Sequence, residues 1–234
     1  MSISTFEAVV INNRNRFTTT KKMVDKLLQL NPNEPIIILD NDSTYPPLLS
    51  WYKETMMNPK YRSVSVRFGK NEGHLAFWNL GMHNEFYGKC FVYTDSDIEL
   101  NENFPRDWKE IMFQYWCKYQ KKVALALNID DLPDHYRYKN QVIRNEGRWW
   151  LDEIEDNVFN ADTDTTFFFM EARMDNPYES VRLSRHDLIA RHAPWYHDLN
   201  NLDEEEKYYL DNLGARVTTQ YSKQHLEPEK YTDI

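Results

Sequence analysis

The chain has 234 residues, of which 41% are hydrophobic and 28% charged, and its formal net charge is -9. That length supports a sizeable core in one large α/β domain, and the acidic balance excludes a broad nucleic-acid footprint, which needs basic patches. Two cysteines, Cys90 and Cys117, form neither a zinc pattern nor a disulfide framework and read as free thiols of a reducing, cytosolic compartment. No apolar run reaches the length of a membrane span, and the N-terminus lacks a signal pattern, so any work at a membrane is expected to be peripheral.

Phe6 to Ile11 predicts a buried first strand, which gives way abruptly to the polar Asn12-Asn13-Arg14-Asn15-Arg16. Thr18 offers a helix N-cap, and Met23, Leu27 and Leu30 recur at helical spacing. Pro35 opens a second strand, Ile36 to Leu39, ending at Asp40. Strand, helix and strand make a parallel, right-handed βαβ unit. Asn41-Asp42-Ser43-Thr44 is a turn cluster, and Pro46-Pro47 starts a helix with Leu48, Trp51 and Tyr52 on its apolar side. Arg62 to Phe68 alternates as an edge strand, Gly69 to Gly73 is a loop, and Ala76 to Phe86 reads as one helix. Lys89 to Thr94 is the next strand.

Further on, Trp108, Ile111, Met112, Tyr115 and Tyr119 mark an amphipathic helix, and Val123 to Leu127 a short buried strand. From Asn128 to Thr165 periodicity fades into an acidic, aromatic stretch, of the kind that is functional when it lies inside a compact domain. Thr166 to Met170 resumes as a strand. Asp203 caps a final helix to about Asn212, Gly214 ends it, and Arg216-Val217-Thr218 predicts a last short strand. The polar tail from Ser222 is expected to be loose.

The chemistry concentrates where Phe91-Val92-Tyr93-Thr94 runs into Asp95-Ser96-Asp97. In an extended chain, residues i and i+2 point the same way, so both carboxylates are expected to converge on one cation just past a buried strand. Open α/β sheets bind ligands at that edge. All-oxygen ligands suit Mg²⁺ or Mn²⁺. Asp40 and Asp42 follow the second strand at the same edge, where a carboxylate can accept from a base N–H or a ribose hydroxyl. Asn13 and Arg14 follow the first strand, and Arg14 can pair a phosphate. The glycine signatures of dinucleotide-binding and P-loop proteins are missing, as is the nucleophile elbow of α/β-hydrolases.

Val9-Val10-Ile11-Asn12-Asn13-Arg14, Ile37-Ile38-Leu39-Asp40-Asn41-Asp42-Ser43-Thr44, Asn71-Glu72-Gly73, Asn79-Leu80-Gly81 and Tyr93-Thr94-Asp95-Ser96-Asp97, in this order and spacing, resemble the GT-A fold glycosyltransferases, in particular the family 2-like group. They cover about residues 6 to 100. Ala161-Asp162-Thr163-Asp164-Thr165-Thr166-Phe167 and His192-Ala193-Pro194-Trp195-Tyr196 resemble a smaller bacterial and viral subgroup. The resemblance implies a Rossmann-like, mostly parallel sheet flanked by helices. It implies a single domain over 1–234, with a nucleotide-binding half to about 100 and an irregular acceptor-binding half after it. Asp40 then matches the carboxylate that reads the base, and Asp95 and Asp97 the metal and ribose motif. Asn13, Arg14 and Asn71 fall where family members contact the nucleotide, and His192 where some relatives bring a His to the metal or diphosphate.

The implied activity is metal-dependent transfer of a sugar from a nucleotide-diphosphate sugar, with UDP favoured, to a saccharide or glycan acceptor, with inversion. An Asp deprotonates the acceptor hydroxyl, while the metal and Arg14 or Arg191 take up charge on the leaving diphosphate. The aromatic segment from Tyr136 to Trp150 is expected to shape the acceptor site. Inverting members carry their base in a Glu-Asp pair near a late helix. Asp203-Glu204-Glu205-Glu206 stands at a comparable place without such a pair. Asp164, just before a buried strand, is the first candidate and Asp198, following a Trp, the second. Two other readings stand beside this one: a sugar-phosphate nucleotidyltransferase, although no glycine-rich basic loop follows the first strand, and a catalytically decayed carbohydrate-binding domain.

Overall fold

The computed structural model describes residues 6–213, apart from Met174 and His186. Strand β1 (Phe6–Asn13), helix α1 (Thr18–Leu30), β2 (Ile36–Asn41), α2 (Pro46–Met57) and β3 (Val64–Gly69) come first. A short helix α3 (Ala76–Asn79), β4 (Cys90–Asp95), β5 (Ile98–Leu100), α4 (Trp108–Tyr119) and β6 (Lys122–Leu127) follow. The rest is α5 (Lys139–Gly147), β7 (Glu153–Glu155), β8 (Val158–Asn160), β9 (Phe168–Glu171), β10 (Ser180–Leu183), β11 (Ile189–His192) and α6 (Glu204–Asp211).

The strands form one sheet in the order β3-β2-β1-β4-β9-β6-β10-β8-β7, with β11 joining β6 to β5. From β3 to β4 all pairings are parallel; β9 runs antiparallel between β4 and β6, and β10 is again parallel to β6. Both faces of the central strands are covered, which is why these strands read as continuous apolar runs. Val9, Ile11, Ile36, Ile38 and Val92 pack with Met23, Leu27, Trp51, Trp108 and Met112 from α1, α2 and α4. Val10, Ile37, Leu39, Phe91 and Tyr93 point to the other face, against Phe77 and Phe86. Cys90 is buried and Cys117 exposed, and both are free thiols.

Several expectations change. The segment from Ala76 to Phe86 is not one helix: α3 stops before Gly81, which takes φ of 74°, and a 3-10 turn runs from Met82 to Phe86. A left-handed residue ends an α-helix, and glycine adopts that backbone without a Cβ clash. The stretch 128–165 contains α5, β7 and β8. Its Tyr136 and Tyr138 are buried with Leu132 and Val142 in a small core against Trp195 and Tyr196, so they serve packing. Phe68 ends its edge strand 63% exposed instead of facing the core. Gly214, the expected strand at 216–218 and the tail lie outside the described residues.

Thr18 does not cap α1. The helix has no cap from its own chain neighbours; instead the Glu205 carboxylate, on α6, accepts from the backbone N–H groups of Phe17 (2.8 Å) and Thr18 (3.0 Å) and from the Thr18 hydroxyl (2.7 Å). A carboxylate there satisfies free N–H groups and complements the positive helix end. Next to it, the buried Arg16 and Glu206 form a two-pronged ion pair, with the Arg16 guanidinium 3.7 Å from the centre of the Tyr209 ring. Tyr208 donates to Thr44, and Arg14 reaches the Asn212 carbonyl. Helix α6, capped by Asp203 as expected, is thereby bolted across the ends of β1 and β2.

His197 lies 3.2 Å from Glu206. Burial, and then the Arg16 charge, push the imidazole down to about 4.

Two outcomes follow from this corner. Arg16→Met removes the guanidinium partner of the buried Glu206 and should destabilise the fold by about 3–5 kcal/mol in urea titrations. His197 is neutral in the folded state down to about pH 4, whereas an unfolded histidine protonates near 6.5. The unfolded state therefore binds more protons between those limits, so stability is full above the upper one and falls as pH drops through the window. His197→Asn should flatten part of that acid limb in pH-dependent melts; His192, also held down by burial, contributes in the same direction.

Candidate active site

The carboxyl ends of the parallel strands deliver an edge rich in Asn and Asp. Registers place Asn12 beside Asp95 and Asn13 beside Asp40. Asp40 is 2% exposed: one oxygen accepts from the Ser43 N–H (2.9 Å) and the other from the Tyr52 hydroxyl (2.9 Å), which itself accepts from the Asn13 amide (2.8 Å). Burial and the adjoining Asp40 push the Tyr52 phenol far up, so it stays a donor. Asn13 and Asp40 are thus a buried frame behind the edge.

Arg14 donates to the carbonyls of Asn41 (2.9 Å) and Asp42 (2.7 Å). Asn12 and Asn41, which sequence reasoning did not single out, both donate to the Gly73 carbonyl, and Asn41 also accepts from the Glu72 N–H (2.7 Å). The loop from Asn71 is thereby pinned to the edge, and Asn71 closes its own turn by accepting from the Gly73 N–H. The only sequence signal for Asn12 and Asn41 was their place inside the strand-end motifs.

The acidic pair is not arranged as an extended i, i+2 doublet. Asp95 is the last residue of β4, while Ser96 and Asp97 form the turn into β5. Asp95 accepts from the Thr165 hydroxyl (2.6 Å), and its backbone N–H bonds the Thr165 carbonyl. Asp97 meets His192: the carboxylate is 3.5 Å from Nε2, and the Ala193 N–H donates to the Asp97 carbonyl. Burial, then the Asp97 charge, raise the Asp95 carboxyl well above the usual range, and Thr165 opposes the shift. Burial lowers His192, with Asp97 opposing, so the imidazole is neutral; its buried Nδ1 has no hydrogen-bond partner among the described residues, and its ring lies 4.8 Å from that of Trp195.

Asp164 is exposed on the loop that brings in Thr165, close enough for its charge to raise Asp95. Buried cations hold that loop by its carbonyls. Arg182 donates to the Asp162 carbonyl (2.9 Å) and pairs with Glu146. Lys122 donates to the carbonyls of Thr163 and Asp164 (2.9 Å) and to the Asn176 side chain (2.9 Å). Burial pulls Lys122 down to about 7, against the nearby Asp164.

Other candidates lie elsewhere. Arg191 is bound to Asp131, which also accepts from the Tyr196 hydroxyl (2.5 Å); neighbouring strand residues point to opposite faces, so Arg191 projects away from its neighbour His192. Asp198 closes a turn by accepting from the Asn200 N–H. Of the acidic run 203–206, Asp203 and Glu205 are spent on helix capping and Glu206 on the Arg16 pair.

Among the described residues, no three His, Cys, Asp or Glu side chains converge as a ready metal cluster. The residues present nonetheless fit one hard cation. Asp97 and His192 stand 3.5 Å apart, near the roughly 3 Å between adjacent ligands of an octahedral ion with bonds of about 2 Å. The neutral imidazole has the ligating form, and the crowded Asp95 and Asp97 charges lack a counter-charge.

No protein family matches the sequence, and no curated protein does. Among solved structures, the chain is similar to a mannosyltransferase from Pyrobaculum calidifontis in complex with GDP-Man and Mn²⁺, at 12% identity and a TM-score of 0.53. The match covers 98% of this chain and 65% of that one, so the chain spans just under two thirds of the length of that structure. A UDP-glucose pyrophosphorylase complexed with UDP-glucose matches at 10% identity and a TM-score of 0.40, over 76% of this chain and 74% of that one. The likeness at this identity establishes the fold: a GT-A-like α/β architecture with a mostly parallel sheet. No helix among the described residues is long and apolar enough to cross a membrane.

Removing the Lys122 charge tests the loop clamp. Lys122→Met removes the Lys122 donor from the buried Thr163 carbonyl and one of two donors from the Asp164 carbonyl, which keeps the Asn176 amide at 3.2 Å, and should cost about 1–3 kcal/mol in denaturant titrations, with faster amide exchange confined to residues 161–166.

Proposed function

We propose that the protein is a metal-dependent glycosyltransferase that moves a sugar from a nucleoside-diphosphate sugar to a saccharide acceptor with inversion. The observation carrying this reading is the pairing of Asp97 with a neutral His192 beside the buried Asp95, at the carboxyl edge of the sheet. Asp97, His192 and Asp95 would hold Mn²⁺ or Mg²⁺, which when bound supplies charge neutralisation for a diphosphate leaving group.

In the reaction the acceptor oxygen attacks the anomeric carbon as the bond from that carbon to the diphosphate breaks. Asp164, exposed beside the tip and held by Lys122, takes the acceptor proton. Asp198 is the second candidate for this proton. Asn13 and Asp40 act through Tyr52 to shape the wall near the base, and Asn12 and Asn41 fix the loop of Asn71 along the nucleotide. Arg14 sets the ends of β1 and β2, with Arg191 the other candidate to face the diphosphate. Residues to about 100 form the donor half of the domain and the remainder the acceptor half. The favoured donor is UDP-linked, with GDP-linked sugars next because the structurally similar mannosyltransferase was solved with GDP-Man.

Thermal shift with UDP and GDP, each with and without Mn²⁺, tests the donor side. A ligand at 100 times its Kd stabilises by about 2.7 kcal/mol. The expected shift requires Mn²⁺ and disappears in Asp97→Ala, whose ligand-free melting temperature stays at the wild-type value. A metal-independent shift, or an Asp97→Ala shift equal to wild type, rejects the metal role. Asp164→Asn should lower kcat by about 10²–10⁴-fold with donor binding intact; the same loss in Asp198→Asn instead moves the base there.

A further inference from the structure

Lys122 opens β6 and is buried. Its Nζ lies 4.3 Å from the centre of the Phe168 ring and meets three oxygens: the carbonyls of Thr163 and Asp164 (2.9 Å) and the Asn176 side-chain oxygen (2.9 Å). An ammonium has three N–H donors and no acceptor, so these oxygens use it completely. Among the described residues it forms no ion pair. The charges that face it act at a distance. Asp164 and Asp162 favour its charged form, and Arg182 on β10 opposes it; Glu146 is paired with Arg182. A small cavity beside it adds Lys121, Arg173 and Glu179, while α4 and β9 bring only the uncharged Trp116, Gln120 and Met170.

A neutral amine cannot make the same contacts. It keeps two N–H groups and gains a lone pair, so one of the three oxygens would face that lone pair in place of a proton. Arg182 holds the Asp162 carbonyl nearby, and a guanidinium keeps its charge throughout. The loop is therefore held at Asp162 by a cation that does not titrate, and at Thr163 and Asp164 by one that does. Burial without a carboxylate partner favours the uncharged amine. It draws Lys122 down to about 7, whereas a lysine in water stays charged to about 10.4.

The next residue along the loop, Thr165, donates its hydroxyl to Asp95 (2.6 Å). Releasing the carbonyls of Thr163 and Asp164 would therefore loosen both the Asp164 side chain and the contact to Asp95.

We propose that Lys122 is a positioning residue for Asp164 and that its proton switches the loop: the ammonium fixes residues 163–165 beside the acidic edge, and the neutral amine releases them. The effect on turnover rests on the transferase reading with Asp164 as proton acceptor. The release of the loop rests on the contacts of Lys122 alone.

The test follows the Thr163 amide, whose N–H bonds the Tyr178 carbonyl (3.0 Å), by hydrogen exchange in the full chain, expressed as protection relative to an unstructured peptide at each pH. Wild-type protection should fall at least tenfold between about pH 6 and about pH 8.5. The Leu125 amide, bonded to the Phe167 carbonyl (3.0 Å), should keep its protection. Asn176→Asp puts a carboxylate at an oxygen that Lys122 already meets, and an adjacent opposite charge favours the ammonium. That variant should move the fall upward by at least one pH unit, a displacement that a merely structural contact would not produce. Hydrolysis of UDP-glucose or GDP-mannose with Mn²⁺ should slow over the same range in wild type and shift with Asn176→Asp. Protection that ignores pH in wild type, or falls at the same pH in Asn176→Asp, overturns the proposal; hydrolysis whose pH dependence does not follow the displacement overturns the positioning role. A displaced fall in a protein that hydrolyses neither donor keeps the loop switch and rejects the transferase reading.

Discussion

Two carboxylates share one poorly solvated edge of the sheet, and much of the site is organised around that repulsion. Asp95 is raised by burial before any neighbour is considered, and Asp97 raises it further. A lone charge in such a place protonates or recruits a counter-charge. The described residues provide hydrogen bonds to Asp95 from the Thr165 hydroxyl and the Asn12 amide, and a neutral imidazole, from His192, beside Asp97. None of these cancels the charge, and two nearby cations are committed: Arg14 to the carbonyls of Asn41 and Asp42, and Arg191 to Asp131. A site that withholds its own cations from two crowded acids is suited to a cation that arrives with the ligand.

Holding that arrangement needs rigidity from outside the edge. The loop carrying Thr165 has no regular ladder of its own, so its carbonyls find buried cations instead: Arg182 on Asp162, and Lys122 on Thr163 and Asp164. Such contacts are strong because a charged donor meets oxygens shielded from water. On the opposite side, α6 does comparable work for the ends of β1 and β2. Glu205 completes α1, and Glu206 ties Arg16 to the corner that carries His197. The C-terminal half therefore supports the N-terminal strand ends as well as lying beside them.

This division explains what the sequence made legible. Strands β1, β2 and β4 are buried on both faces, so their apolar runs identified them, and the strand-end Asn and Asp residues followed directly. Helices α1, α2 and α4 showed their apolar stripes. Strands β10 and β11 have only four residues each, too few for a period to emerge, and both earn their pairing from distant partners. The i, i+2 argument assumed that the strand continued through Asp97, but the turn at Ser96 breaks that alternation. Thr18 and Asp203 were each read locally as caps, and only Asp203 caps its own helix; the Glu205 contact spans 187 residues, a separation that no local pattern encodes. Asp40 stood out as a free acid because the partner that occupies it, Tyr52, lies on a helix whose apolar stripe advertised only packing.

The pairing of β5 with β11 shows how the same geometry serves two environments. Asp97 belongs to a turn and Glu99 to the strand it opens, while His192 and Arg191 are successive residues on β11. Strand alternation sends successive side chains to opposite faces, so β11 gives His192 to the acids and Arg191 to the flank. One short strand thus supplies a neutral ring to the crowded acids and an ion-paired guanidinium to the flank. The loop of Thr165 shows the same separation of duties along its own chain: its carbonyls are held by Arg182 and Lys122, so the backbone is fixed, while the Asp164 side chain stays exposed beside Asp95 and adds its charge to that crowded edge.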